Sequence, residues 1–313
     1  MFHIIANPVA GRGYSLVRLQ ALTALFDNSG IPYEVLHTTA PLDGYEKSKH
    51  VCLNGSDGII AIGGDGTVQE IAAGMADAHD GHASIPIPLG ILPCGSGNDF
   101  VLSLNGGKPS YLDKYNNIAN QQAAESLCNA IIHSHVRNID ILKANGTAYL
   151  NIGNIGLDAR IVKNAVRLKH TFGSYAYYAA VYQSIIQHKN IPLTIEIDGK
   201  PIDGHYTLVA VCNGQYYGGG MKIAPPAQLD SSKITVCLIE ALSRPKCVLL
   251  FPSLLFAQHT RLKQVRFVQC DSLAITLPNN ETLCLDGNLY EKSGTITFEI
   301  MPHALKVFCD KTM

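Results

Sequence analysis

Charge of one sign is what this chain lacks first: 24 Lys and Arg stand against 25 Asp and Glu, a formal net of −1 over 313 residues. That balance gives no electrostatic case for nucleic acid as a partner. A bilayer-crossing run is also missing. The best stretch, residues 247–257, is far short of the roughly 20 apolar residues required and contains Pro252, so it reads as a buried or interfacial helix. Nine cysteines, an odd number, include no C-x-x-C pair and read as reduced core thiols. Cys94 is the one that falls inside a loop of interest, and packing is its leading explanation. Twelve histidines form no His-Glu-x-x-His and no zinc-spaced set with cysteine. No Gly-x-Ser-x-Gly elbow supports a serine hydrolase. The opening residues pass into a strand pattern without a basic, long apolar leader, so the expected location is cytoplasmic.

What is present is glycine in three particular places. The run Ile59-Ile-Ala-Ile62 is the apolar, β-branched pattern of a central parallel strand, and Gly63-Gly64-Asp65-Gly66-Thr67 follows it. Glycines there let the backbone turn sharply and approach a ligand. Thr67 and Glu70 have capping-box spacing, which predicts a helix starting at that point with its free N–H groups aimed at the turn. Asp65 is a carboxylate where phosphate would bind, a placement that a bridging divalent cation, usually Mg²⁺, would explain, the plainer alternative being a strand–turn–helix connection with a chance Asp. A first strand ends in Asn7-Pro8 with Gly11, Arg12 and Gly13 before a helical pattern, and Arg12 could neutralise phosphate charge. A third strand runs into Gly95-Ser96-Gly97-Asn98-Asp99. In a parallel sheet all three loops emerge at the carboxyl edge, where such sheets bind ligands. None is a Walker P-loop or an ordinary dinucleotide fingerprint.

Strand patterns at 2–6, 32–37, 58–62 and 88–92 alternate with helical patterns at 14–27, 44–53, 67–78 and 118–133, which predicts a parallel α/β layer. Beyond residue 134 short alternating stretches dominate, at 135–142, 148–152, 193–197, 206–212, 234–239, 272–276, 282–285 and 295–300, interrupted by a helix over 173–187. Many short strands imply a β-sandwich. The expected fold is therefore an α/β nucleotide-binding domain over 1–133 and a β-sandwich over 134–301.

The stretches GGDGTVQE, LGILPCGSGNDF and ANPVAGRG, followed by YLNIGNIGLDARIV, VCNGQYYGGGMKIAPPAQLD and LCLDG, resemble the soluble diacylglycerol kinase catalytic family, which includes sphingosine, ceramide and bacterial lipid kinases. The resemblance covers nearly the whole chain. GGDGT is the less specific part, because NAD kinases carry it too. The resemblance implies a last strand, about 302–313, returning to the first domain, and an active site in the cleft between the domains. It implies ATP with Mg²⁺, the phosphates held by Asn7, Pro8, Gly11, Arg12, Thr39, Gly63, Gly64, Asp65, Gly66, Thr67, Glu70, Gly95, Ser96, Gly97 and Asn98. Asp65, Asp99 and Asp140 would surround the metal, although a helix cap for Asp99 and a salt bridge to Arg137 or Arg12 for Asp140 are competing readings. Asp286 matches the catalytic aspartate that takes or orients the acceptor proton, and an ordinary Asp-Gly hairpin turn is the competing reading there. The acceptor would be a lipid at a membrane surface, most simply diacylglycerol, giving phosphatidate.

Two departures qualify the resemblance. Asn288 stands where many bacterial members have a Glu assigned as base, and an amide cannot take a proton at neutral pH. Asp286 alone as base, a loose transition state needing little base help, and a weakly catalytic homologue are the three explanations, the first preferred. The loop Leu229-Asp-Ser-Ser-Lys-Ile234 replaces the family's Leu-Asp-Asp-Gly, so a structural Mg²⁺ is not expected there. An NAD kinase-type phosphotransferase and a non-catalytic nucleotide- or lipid-binding protein remain alternatives, and a homodimer is left open. For the membrane, Arg160, Lys163 and Arg167 recur at helical spacing and, with Lys169 and either Lys246 or Lys263, form a candidate anionic-lipid stripe beside the plainer reading of a solvated helix face with a core face behind it.

Overall fold

The computed structural model describes residues 1–79, 84–107, 117–172 and 176–309. The chain divides into two compact units, Met1–Ile141 with Met301–Met313, and Leu142–Ile300.

In the first unit β1 (Phe2–Ala6), β2 (Tyr33–His37), β3 (Gly58–Gly63) and β4 (Leu89–Pro93) form a parallel sheet in the order β4-β3-β1-β2. The central strands are the apolar runs and the edge strand β2 is not, because only a strand covered on both faces excludes water from every side chain. Ile4, Ile5 and residues 59–62 are wholly buried. Strand alternation then divides them. Ile4, Ala6, Ile60 and Ile62 share a core with Leu22 and Phe26 of α1 (Tyr14–Ser29) and Ala124 and Leu127 of α5 (Asn117–Ile132). The helices α2 (Asp43–Asn54) and α3 (Asp65–Ala78) pack together and against β1 and β3. A short α4 (Asp99–Leu104) follows β4.

The chain passes from the first unit to the second inside β5 (Val136–Ala144), after Ile141, and not ahead of that strand as the change of strand pattern near residue 134 suggested. In the second unit come β6 (Thr147–Tyr149), β7 (Ile152–Gly156), α6 (Leu157–Phe172), α7 (Ala176–Ile186), β8 (Ile191–Ile197), β9 (Lys200–Cys212), β10 (Tyr216–Tyr217), β11 (Met221–Lys222), β12 (Ile234–Glu240), α8 (Arg244–Leu255), β13 (Val265–Cys270) and β14 (Leu273–Leu285). The long strands β9 and β14 each pair with β8 over their outer halves and with β7 over their inner halves, which joins the two faces of the sandwich. On β9, Val209 and Val211 enter the sandwich interior while Leu208, Ala210 and Cys212 face a second core built with α6, α7 and α8. That double coverage is why the second half of β9 is buried at every residue.

Several elements differ from their sequence reading. The stretch 148–152 breaks at Leu150 and Asn151 into β6 and β7. The stretches 272–276 and 282–285 are one strand, β14, with an irregularity between Leu277 and Glu281, the kind of bulge a local alternation count cannot bridge. The last two strand patterns are likewise one strand, β15 (Asn288–Phe308), which re-enters the first unit and pairs parallel with β4 at Val307 and Leu89. The helix expected over 173–187 is α7, and residues 173–175 lie outside the described residues. β13 was not anticipated at all.

Candidate active site

Three loops leave the carboxyl ends of β1, β3 and β4, and the parallel register, Ala6 beside Ile62 and Gly63 beside Pro93, sets them next to one another. Asn7 ties the first loop to the second: its N–H donates to the Ile62 carbonyl at 2.9 Å and its Nδ2 to Thr67 Oγ1 at 3.2 Å. Its Oδ1 also accepts the Val9 N–H across the turn that holds Pro8. The third loop is tied to the second by the Cys94 N–H, which donates to the Gly63 carbonyl at 2.6 Å. The glycines turn out to serve this packing first. A Cβ on Gly95 would stand 2.7 Å from Gly64 Cα, and one on Gly11 would stand 2.5 Å from the Cys94 carbonyl oxygen. Backbone cannot yield to either. Gly95→Ala is therefore expected to cost about 1–3 kcal/mol through overpacking, whereas Gly13→Ala, with φ +90° and open space around it, meets only the left-handed backbone penalty of about 1–2 kcal/mol. Thermal melts with and without ATP check both, and only the Gly95 variant should also lose the ATP-dependent rise.

The capping-box reading of Thr67 and Glu70 is not realised. α3 begins two residues earlier, at Asp65, with Gly64 as its extended N-cap and no side chain capping it, so Gly66 lies in its first turn. Thr67 is buried and taken by Asn7, while Glu70 Oε1 accepts the Leu42 N–H at 3.1 Å, at the start of α2. Tertiary donors competed for both side chains and won. No side chain caps the first turn of α3, the kind of helix end that can receive an anion. Thr39, exposed after β2, donates its N–H and Oγ1 to Asp43 Oδ2 at 2.8 and 3.1 Å.

Asp65 points at the start of α4. Its Oδ2 accepts the Asn98 N–H at 2.7 Å and its Oδ1 the Phe100 N–H at 3.2 Å. Burial pushes its carboxyl above the usual 3.8, and the N–H groups of Phe100, Asn98 and Asp99 pull it back. Asn98, in a left-handed conformation with φ 55°, closes the third loop on itself: its Oδ1 accepts the Gly95 N–H at 2.7 Å and its Nδ2 donates to the Gly95 carbonyl at 3.1 Å. Ser96 is left exposed at the tip. A Cβ on Gly97 would lie 2.7 Å from Asp99 Oδ2 and 3.0 Å from Asp65 Oδ2, so these two carboxylates converge on one glycine. Asp140 does not join them as a triad. It is fully buried, accepts the His303 N–H at 2.8 Å, and among the described residues no group of three or more Asp, Glu, His or Cys is placed to hold a metal.

Two arginines flank the loops in opposite ways. Arg12 is exposed with φ 59°, a left-handed backbone costing a non-glycine residue about 1–3 kcal/mol. Its guanidinium has no hydrogen bond or ion pair among the described residues. Arg18 was missed by the sequence reading. It is fully buried within α1 and donates Nη1 to the Pro93 carbonyl at the base of the third loop, and burial lowers its guanidinium from its usual value against the opposing pull of Cys94. The signal available was its position on the helix face of Ser15, Leu19, Leu22 and Phe26. Cys94 itself is a fully buried core thiol.

In the second unit Asp286 and Gly287, with φ 47° and 93°, form a two-residue hairpin turn between β14 and β15, closed by the Leu285–Asn288 pair. The turn is ordinary; what its carboxylate does is not. Oδ2 accepts the Leu150 N–H at 2.7 Å, Oδ1 the Ile152 N–H at 2.7 Å, and both the Asn151 N–H at 3.1 Å. All three donors lie at the break between β6 and β7 or at its edge. Asn151 Nδ2 in turn donates to the Tyr216 carbonyl at 2.8 Å and Asn213 Nδ2 to the Leu150 carbonyl at 2.8 Å, which draws the β10–β11 hairpin into the same network.

Comparison with known proteins decides the family. The diacylglycerol kinase catalytic domain matches residues 1–144, and the YegS C-terminal NAD kinase beta sandwich-like domain matches residues 152–309. The chain belongs to the diacylglycerol kinase catalytic-domain family. It is 26% identical over 285 residues to the diacylglycerol kinase of Bacillus subtilis (strain 168), covering 91% of this chain and 88% of that one. With the Mycobacterium tuberculosis (strain H37Rv) diacylglycerol kinase the identity is 24% over 280 residues, 88% and 84% covered. The crystal structure of a diacylglycerol kinase from Bacillus anthracis str. Sterne superposes with a TM-score of 0.70 at 23% identity, over 99% of this chain and 97% of that one, a likeness of fold. Membership makes this a kinase-family chain and implies ATP as phosphoryl donor. The α6 cations that helical spacing marks as a candidate lipid stripe have partners in the structure. The basic stripe on α6 is largely neutralised: Arg160 pairs with Glu281 at 3.2 Å, Lys163 with Glu291 at 2.7 Å, and Arg167 donates to Gln183 at 3.2 Å. Lys169 falls where no side chain is described.

Proposed function

We propose that the chain transfers the γ-phosphoryl group of MgATP to a lipid hydroxyl, diacylglycerol being the first acceptor to test, with phosphatidate as product. The observation that carries the reading is the packing of three glycine loops and the free N-terminus of α3 at one sheet edge, beside an unpaired and backbone-strained Arg12. Backbone N–H groups there would receive phosphate oxygens, and Arg12 would neutralise part of their charge. When bound, a Mg²⁺ ion would offset the negative charge of the transferred group. Asp65 and Asp99 fit it, since Mg²⁺ needs only one or two direct carboxylates. In this reading Asp286 orients the acceptor hydroxyl. Its oxygens already accept four N–H contacts, so taking the proton requires releasing one of them. A loose transition state, in which the proton leaves late, makes small demands on such a base and is consistent with Asn288 in place of Glu.

The test is ADP release from MgATP with diacylglycerol vesicles, a sphingoid base or NAD⁺ as acceptor. Stimulation by diacylglycerol is the expected result. Stimulation by NAD⁺ alone would replace the lipid reading with a nucleotide kinase, and silence with every acceptor despite ATP binding would assign the chain to a non-catalytic homologue.

A further inference from the structure

Apolar residues cover both faces of α8, and only one face is buried. Cys247, Leu250 and Leu254 enter the core of the second unit. On the other side Val248, Leu249, Pro252, Leu255 and, just past the helix, Phe256 fall within an arc of about 120° at 100° per residue. Leu249 is 72% and Phe256 75% exposed. Single exposed apolar side chains are ordinary, but a contiguous helix face of them marks an interaction surface. An amphipathic surface helix would carry charge here.

The charge lies at the ends. Arg244 and Lys246 open the helix, Arg261 and Lys263 follow the turn after it, and all four are exposed without a hydrogen bond or ion pair among the described residues. Residues 241–270 contain no Asp or Glu. This is the reverse of α6, whose cations meet Glu281 and Glu291.

We infer that the exposed face of α8 is a docking surface for an anionic bilayer, its apolar side chains entering the interface and its four cations meeting lipid phosphates. A second copy is a poor occupant, because two such faces would bring eight like charges together. Twelve residues, about 18 Å of helix, cannot span a bilayer and would lie in its plane. The inference rests on the lipid-kinase reading for its purpose only, since docking needs neither nucleotide nor acceptor.

Flotation with phosphatidylcholine vesicles, with and without phosphatidylglycerol, tests it. Wild type should bind the anionic vesicles and be released by salt. Leu249→Ser with Phe256→Ser should lower partitioning at least about tenfold, and Arg244, Lys246, Arg261 and Lys263 all changed to Gln should remove the preference for anionic lipid. An Arg160, Lys163 and Arg167→Ala variant should bind as wild type. Leu249, Phe256 and the four α8 cations are exposed, so unchanged melting temperatures verify the fold of those variants, and a melt of the α6 variant shows whether losing the Glu281 and Glu291 pairs alters it. Equal binding by wild type and the Leu249/Phe256 variant would overturn the assignment. So would a monomer–dimer equilibrium abolished by the same substitutions, or binding lost only in the α6 variant. ADP release with a soluble short-chain diacylglycerol, retained when vesicle binding is lost, separates failure of docking from failure of the kinase reading.

Discussion

Asp65→Asn is expected to lower turnover by at least about 100-fold, the scale of losing one electrostatic partner of a transition state, while moving the melting temperature at pH 7 by no more than a few degrees. The two halves have separate causes. Removing the charge removes a carboxylate that sits beside the glycine loops and converges with Asp99 on Gly97. The fold tolerates this because Asp65 is a half-buried charge whose carboxyl is raised above the usual 3.8 by desolvation. The sign follows: a raised folded-state value stabilises the protein fully below the unfolded value, and that contribution is lost as pH rises through the folded value. At neutral pH the wild type therefore carries a cost that Asn relieves, offset by the weaker bonds Asn offers to the N–H groups of Asn98 and Phe100. Melting curves at several pH values and ADP release on the same preparations check the pair. Near-normal turnover would remove Asp65 from the phosphate site.

Asp286→Asn should fail on both measures, and the contrast with Asp65 is the informative part. An amide has one acceptor oxygen, and its NH₂ would face an N–H donor of residues 150–152. Leaving buried donors unpaired costs about 1–3 kcal/mol, which at this chain length lowers the melting temperature by about 2–4 °C per kcal/mol. Turnover, measured well below the melting transition, should fall by about 10²–10⁴-fold if the residue also handles the acceptor proton. Destabilisation with unchanged turnover would confine Asp286 to pinning the β6–β7 break. Asn288→Glu, by contrast, should keep or raise turnover, because it restores an acid without disturbing the Leu285–Asn288 backbone pair that closes the hairpin.

Local pattern by itself determined a good deal of this protein. The apolar runs around Ile4, Ile60 and Ile91 identified the central strands, since a strand covered on both faces must be apolar throughout. Helical spacing bounded α1, α2, α3 and α5 to within two or three residues, and the three glycine loops were placed at one edge because parallel strands have no other arrangement. Alternation was enough for the second unit's β character. It was not enough for β14 and β15, where an irregularity at Leu277 and a left-handed His303 interrupt the count while the strands continue.

Tertiary structure alone decided what the side chains do. Thr67 and Glu70 have the spacing of a cap, yet their partners are Asn7, 60 residues away, and Leu42, 28 away. The α6 cations look free in sequence and are bound by Glu281 and Glu291, 121 and 128 residues on. Arg18 shows nothing of its role until α1 is seen to carry it under Pro93. Asp286 could be read as a turn or a catalytic acid, and only the break at Leu150 and Asn151 shows the donors that its carboxylate meets. The reason is common to all of these. Burial and backbone hydrogen bonding follow short periods that a sequence displays directly, whereas the partner of a polar side chain is whichever group the fold brings within 3 Å, and that depends on chain segments far apart in sequence.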